Sequence, residues 1–357
     1  MNDEPEISHR RRTVQGVQQT GDRFAGRRVV TIGGGSGTFS MLSHLKKYLF
    51  NISVIVTMSD SGGSSRMLMD EYRRQLPLGD LRMSLVALAR NGALWREVFM
   101  HRFERNDETD SSPLQKGGVG GHSLGNLILK GLQDINRGDL LLAIEDAQEL
   151  LNTAGRVLPV TLEQTSICAD LEDGTAVCGE TEIDTRGNNY LGELSPIQHM
   201  RLIPPDAPGC QQSIRAIRRA DTIIMGPGDL YTSLIPNLLV PDIATAVRES
   251  DAEKVYICNL MTKHGETDGY KASDFVNAIH RYLGGPIDRV LVNDGPFSED
   301  VRKSYAEQRN EPVAADRTQL TRLVPNVVIT HLNLEHDRLA RHDPERLVRA
   351  IFPGDTI

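Results

Sequence analysis

The sequence predicts an α/β protein: a doubly wound, mostly parallel sheet covered by helices, with a small β-rich insertion. Three observations carry that prediction. From Arg28 onward, short β-branched runs alternate with Gly/Asp/Asn-rich turns and then with segments of helical periodicity, the order that a parallel sheet with crossover helices requires. The runs are apolar at both alternations, as strands covered on both faces must be. A chain of 357 residues, 39% of them apolar, is also long enough to bury such a sheet.

Residues 1–26, which include HRRR, precede the first apolar run and read as a flexible, basic, solvated tail. Residues 27–357 read as one domain. Strands are predicted at 28–32, 52–58, 221–225, 254–258, 288–293 and 326–332. Helices are predicted at 38–48, 80–91, 94–103, 123–136, 139–152, 211–219, 232–248, 272–283 and 343–352. The last starts with Asp343 as N-cap and Pro344 at the first helical position, and Asp80 is placed as an N-cap in the same way. Residues 156–204 break the rhythm and read as the β-rich insertion, with Glu172–Thr175 (EDGT) as a hairpin turn because Asp-Gly readily takes positive φ. The polar, glycine-rich segment 104–121 is too long for a passive connector, and reads as a functional or a disordered loop.

Composition excludes several classes. No run approaches the ~18 uncharged apolar residues of a membrane span, and the N-terminus lacks a signal-peptide core. A cytoplasmic protein without membrane insertion is therefore expected. The net charge of −8 argues against a nucleic-acid partner. Cys168, Cys178, Cys210 and Cys258 are dispersed, with no C-x-x-C pair, so free thiols are expected rather than a zinc site or a disulfide framework. Histidine spacings match no metal motif, and no metal site is predicted.

Chemistry concentrates at loops that follow strands. Gly33-Gly34-Gly35-Ser36-Gly37 leads through Thr38 into a helix, where backbone N–H groups and the helix N-terminus favour an anion such as phosphate. The spacing fits neither the dinucleotide fingerprint nor the P-loop. A second loop, Gly226-Pro227-Gly228-Asp229, leads to Thr232 and Ser233 at another helix start. Two such loops at the carboxyl ends of parallel strands suit a ligand with two phosphates. Neither loop holds Lys or Arg, so amides, hydroxyls and helix ends are expected to carry the binding.

Strand 52–58 delivers Asp60 and Ser64 within SDSGGSSR. For Asp60, hydroxyl recognition, general-base work, a divalent cation and a turn-stabilising role are all open. Arg82, a cation in the first turn of a helix, opposes the macrodipole and so suggests an anionic partner: a ligand group, Asp80 or Asp60. His122 suits a general base, a phosphate donor or a plain loop histidine. Asn126 suits a base edge, a phosphate or a backbone carbonyl. The strand-end stretch CNLMTKHGETDGY holds Asn259, Thr262, His264, Asp268 and Tyr270, the last either stacking on a ligand or packing as an ordinary tyrosine.

Taken together, TIGGGSGTFSML, VIVTMSDSGGSS, PLGDLRMSLVALA, GHSLGNLIL, RVLPVTLE, IIMGPGDLYTSLIPNLLVP and YICNLMTKHGETDGY resemble the CofD-like family, and its gluconeogenesis-factor (YvcK) branch most. The resemblance is collinear from about Arg28 to Glu311. It implies a Rossmann-like fold with a nucleotide diphosphate in the crevice, against Gly33–Gly37 and Gly226–Ser233, with Asn259 and Tyr270 near the nucleoside or sugar. For this branch it implies a UDP-sugar-binding regulator, of the UDP-N-acetylglucosamine kind, that affects cell shape and cell-wall precursor allocation. A protein partner and homo-oligomerisation suit such a regulator, although the sequence shows no site for either. The enzymatic relative, 2-phospho-L-lactate transferase, implies the alternative: a phospho-group transferase using magnesium, with Asp60 and Arg82 as catalytic residues. The branch usually reads ADDGGSSG where this chain has Ser61 and Arg66. Loss of one carboxylate weakens the case for magnesium.

Overall fold

The computed structural model describes residues 26–48, 51–59, 78–104 and 121–354. In chain order its strands are β1 (Arg28–Ile32), β2 (Asn51–Val56), β3 (Gly155–Pro159), β4 (Ser166–Leu171), β5 (Ala176–Cys178), β6 (Ile197–Ile203), β7 (Thr222–Met225), β8 (Glu253–Ile257), β9 (Arg289–Asn293), β10 (Asn326–Thr330), β11 (Asn333–His336) and β12 (Leu339–His342). The helices are α1 (Gly35–Leu45), α2 (Gly79–Leu88), α3 (Gly92–Met100), α4 (Leu124–Ile135), α5 (Leu140–Leu151), α6 (Glu180–Asp184), α7 (Gln211–Arg218), α8 (Ile235–Leu238), α9 (Pro241–Glu249), α10 (Ala272–Leu283), α11 (Glu299–Ala306), α12 (Arg317–Leu323) and α13 (Pro344–Ile351).

Seven parallel strands form one sheet, in the order β10-β9-β8-β7-β1-β2-β3. This is the Rossmann-like α/β layout that the alternation of strands and helices predicts. β1 is an interior strand of this sheet, with Ile32 registered against Ile55 of β2 and Met225 of β7. Val29, Val30 and Ile32 are buried, and each side chain of this size contributes roughly 1.5–3 kcal/mol when fully buried. Helices cover the sheet in packed groups: α1 against α2 and α13, α4 against α5, α7 against α9, and α10 against α12. Among the described residues, no single helix is long and apolar enough to cross a membrane.

The small antiparallel sheet β5-β4-β6 holds the predicted hairpin turn. Gly174 has φ +84°, and Asp173 Oδ1 accepts from the Thr175 amide at 2.9 Å. Residues 156–159, read from the sequence as the start of the insertion, instead belong to β3 and join the large sheet beside β2. The predicted helix 232–248 is broken into a π-helical turn (Leu230–Leu234), α8 and α9. Pro241 has no amide to donate and cannot sit in a helix interior, so it starts a new helix at the first position.

Two further expectations are corrected. Cys168 and Cys178 stand directly opposite each other on β4 and β5 and form a disulfide, whereas Cys210 and Cys258 are buried thiols. Their spacing of ten conceals a pairing that only the hairpin register creates. Asp80 does not cap its own helix: the N-cap position is Leu78, and the Asp80 side chain turns to the glycine loop.

Candidate functional site

The loops after β1, β7 and β8 leave the same edge of the sheet and border a cleft of about 610 Å³. The chain builds the sheet from β1 toward β3 on one side and from β7 toward β10 on the other. The strand order therefore reverses between β1 and β7, where open α/β sheets hold their ligands.

The two predicted glycine loops meet at that reversal. Gly226 N donates to Ile32 O at 2.9 Å, and Thr38 Oγ1 donates to Pro227 O at 2.6 Å. Gly228 packs so closely that a Cβ there would lie 3.0 Å from the Gly34 carbonyl oxygen. Ser36, Gly37, Gly228 and Asp229 line the cleft. The first amide of α1 is already engaged, since Gly35 N donates to Asp80 Oδ1 at 2.9 Å. A Cβ at Gly34 would fall 1.8 Å from Asp80 Oδ2, so glycine is what admits this carboxylate. Of this loop, Ser36 and Gly37 are the residues that border the cleft. Asn259 also lines the cleft, but its Nδ2 donates to Gly228 O at 3.0 Å and so buttresses the second loop.

Asp229 O accepts from both Ser233 N and Leu234 N at 3.0 Å, which sets the wide turn that opens this helix. Ser233 O in turn accepts from Asn237 Nδ2. Thr232 is buried and, among the described residues, its hydroxyl has no hydrogen-bond partner.

A cation is present after all, supplied by the neighbouring strand end. Lys263 Nζ lies 2.9 Å from Asp229 Oδ2 and 2.8 Å from Glu266 Oε1, and it also contacts Asp184 of α6. Burial alone would lower the pKa of this ammonium, but the three carboxylates outweigh burial and raise it. Burial pushes the Glu266 carboxyl above the ordinary carboxylate range, against the pull of Lys263. Lys263 lies in neither glycine loop, so a reading of the sequence centred on those loops does not include it.

Next to it, the His264 ring is held by Asp268, with Nδ1 2.6 Å from Asp268 Oδ1, and Asp268 Oδ2 accepts from Gly265 N at 2.6 Å. His264 N donates to Asn310 Oδ1 at 2.7 Å. The far wall comes from β12, whose Arg341 and His342 line the cleft. His342 Nε2 meets the Cys258 carbonyl oxygen at 3.1 Å, and burial lowers its pKa to about 4. Among the described residues, no three His, Cys, Asp or Glu side chains are arranged to hold a metal ion.

Other predicted residues lie elsewhere. Tyr270 is not part of the cleft lining: its hydroxyl pairs with that of Tyr231 at 2.8 Å and its ring meets Phe275 edge-on. Arg82, His122 and Asn126 gather at the start of α4, outside that lining, where Arg82 Nη1 donates to Asn126 Oδ1 at 2.8 Å and to Ser123 Oγ. Asn126 and His122 are buried there. Asp60, Ser64 and most of 104–121 lie outside the described residues, as does the tail up to residue 25.

The profile of the CofD family, described as 2-phospho-L-lactate transferase CofD, matches residues 29–333. The gluconeogenesis factor of Halalkalibacterium halodurans is 41% identical over 327 residues, covering 91% of this chain and 96% of that protein. The gluconeogenesis factor of Bacillus subtilis is 36% identical over 321 residues, covering 90% and 95%. A crystal structure of a Bacillus halodurans protein aligns with a TM-score of 0.82 at 41% identity, over 91% of this chain and 99% of that one. The chain belongs to the CofD family, among its gluconeogenesis factors.

Proposed function

We propose that the chain is a cytoplasmic nucleotide-sugar-binding regulator, with UDP-N-acetylglucosamine or a similar UDP-sugar as ligand. In this reading it couples the supply of that sugar to central carbon allocation and cell shape, consistent with relatives named gluconeogenesis factors. One observation carries it: two glycine loops converge on the strand-order reversal between β1 and β7 and border one polar cleft. The cleft volume of about 610 Å³ falls within the ~300–1,000 Å³ of small-molecule sites. The diphosphate lies against Ser36, Gly37 and Gly228, where α1 contributes the favourable end of its dipole. Charge-assisted hydrogen bonds contribute on the order of 1.5–3 kcal/mol each, so a few suffice for micromolar affinity.

Isothermal titration with UDP-N-acetylglucosamine, UDP-glucose and UDP tests the proposal. Saturable binding near or below ~10 µM is expected for at least one UDP-sugar, since that corresponds to roughly 7 kcal/mol. Absence of saturable binding for the whole panel refutes the reading. Mass spectrometry of the same mixtures, supplemented with magnesium and an alcohol acceptor, is expected to return the UDP-sugar intact. Release of a nucleoside monophosphate would move the conclusion to a transferase.

A further inference from the structure

We infer that a groove at the amino ends of β1, β2 and β3 is a docking surface for an acidic segment of a partner protein, anchored by Arg90, Arg156, Arg215 and Arg219. None of these residues borders the glycine-loop cleft, so the two sites can be filled together.

The groove forms where two helices flank the edge strand β3. One wall is Glu145, Gln148, Glu149 and Asn152 of α5 and its C-cap, and the other is Gln212, Arg215, Ala216 and Arg219 of α7 and its C-cap. Both sets have the i, i+3, i+4, i+7 spacing of a single helix face. The floor includes a row across the sheet, Val30 of β1, Ser53 of β2 and Arg156 of β3, which are register partners and so share a face. Arg28, Asn51 and Gly155, the first residues of the same strands, also line it. The groove is therefore at the opposite end of the sheet from the glycine loops.

Charge sets this groove apart. The chain carries a net charge of −8, yet its lining holds five arginines against Glu145 and Glu149. Arg28 is engaged by Asp221, and Glu145 accepts from Gln212 Nε2 at 3.4 Å. Arg90, Arg156, Arg215 and Arg219 are exposed, and among the described residues none of their guanidinium groups is hydrogen-bonded or within ion-pair distance of a carboxylate. Arg215 and Arg219 stand about 6 Å apart along the helix axis and repel each other in the free protein. A guanidinium pairs with a carboxylate through two parallel hydrogen bonds. The four come from the end of α2, from β3 and from α7, so they suit several carboxylates strung along a chain better than one compact anion. The volume of about 1170 Å³ likewise exceeds the ~300–1,000 Å³ of small-molecule sites. Val30 and Leu158 give the floor an apolar part, where a side chain between the acids can rest. The charge of the whole molecule repels nucleic acid, whose phosphates are more densely spaced.

The test uses the full chain and a fluorescein-labelled octapeptide of six glutamates and two valines, titrated by fluorescence anisotropy. Saturable binding is expected, weakening steeply as salt is raised from about 50 to about 500 mM. Arg215→Glu and Arg219→Glu are each expected to weaken it at least ~3-fold, and together at least ~10-fold, because attractions become repulsions. Arg218→Glu makes the same charge change on the same helix, at an exposed position outside the groove lining, and is expected to leave affinity within about twofold. Equal melting temperatures check that the fold is kept. Saturating UDP-N-acetylglucosamine is expected to leave the peptide bound, and its displacement would overturn the separation of the two sites. Displacement of the peptide by tripolyphosphate or single-stranded DNA at lower concentration than by unlabelled peptide overturns the protein partner in favour of that anion. A wild type that does not bind the peptide, or equal losses for Arg215→Glu and Arg218→Glu, overturns the docking surface. Neither result bears on the nucleotide-sugar reading, whose titrations use a different cleft.

Discussion

Lys263 is the residue on which the second loop, α6 and the β8 loop converge, since its ammonium serves Asp229, Asp184 and Glu266 together. One cation among three carboxylates is an unequal arrangement, and it is stable because Glu266, with a side chain 1% exposed, resists ionisation through burial. Removing the cation exposes the imbalance. Lys263→Ala is expected to cost on the order of 3 kcal/mol, the lower end for breaking a buried pair, because Asp184 and Asp229 are partly solvated. Adding Glu266→Gln should restore part of that loss, since the two positions share one interaction. Urea denaturation of the two single variants and the double variant checks this. Additive losses would mean that Glu266 draws no support from Lys263. Asp80 acts on the same scale, as a built-in anion at the first amide of α1.

At the scale of elements, periodicity and turn chemistry located the strands of the large sheet wherever a buried run ends at a glycine turn, as at β1, β7 and β9. β3 escaped because it lies at the start of a region that reads as short alternating strands, although its last three residues are buried in succession, as in the other strands of the large sheet. The ribbon β11–β12 escaped because its polar residues carry no strand signal, yet it delivers Arg341 and His342 to the cleft. In the site, the glycine loops were legible because backbone geometry demands glycine there. Lys263 and Glu266 were harder to select, because their meaning depends on which loops the topology sets side by side. The disulfide follows the same rule: only the β4–β5 register brings Cys168 opposite Cys178. That link anchors the hairpin immediately before α6, whose Asp184 reaches Lys263. Closing so short a loop typically contributes about 2–4 kcal/mol. Thiol titration of the unfolded, unreduced protein should therefore find two free thiols among the four cysteines, and reduction should lower the melting temperature by several degrees. Four free thiols before reduction would refute the pairing.

For the whole molecule, pH acts on stability through buried groups of opposite sign. Burial lowers the pKa of His44 and His280, and takes that of His342 to about 4. An unfolded histidine binds its proton near pH 6.5, so between about 6.5 and 4 the unfolded chain holds a proton that folded His342 refuses. Stability from this group is present above pH 6.5 and is lost as pH falls through the window, approaching roughly 3 kcal/mol. Glu266 works the other way: its raised carboxyl keeps a proton that the unfolded chain has released, so its contribution is lost as pH rises above the ordinary carboxylate value. The two slopes oppose each other in mildly acidic solution, and a wild-type profile alone would conceal both. His342→Gln separates them, because an amide can still donate to the Cys258 carbonyl and does not titrate. Relative to the wild type, this variant is expected to gain stability steadily as pH is lowered from 7 to 4, measured by urea unfolding at fixed ionic strength. Parallel profiles for the two proteins would show that His342 binds its proton equally in the folded and unfolded chain, and that the acid limb belongs to other groups.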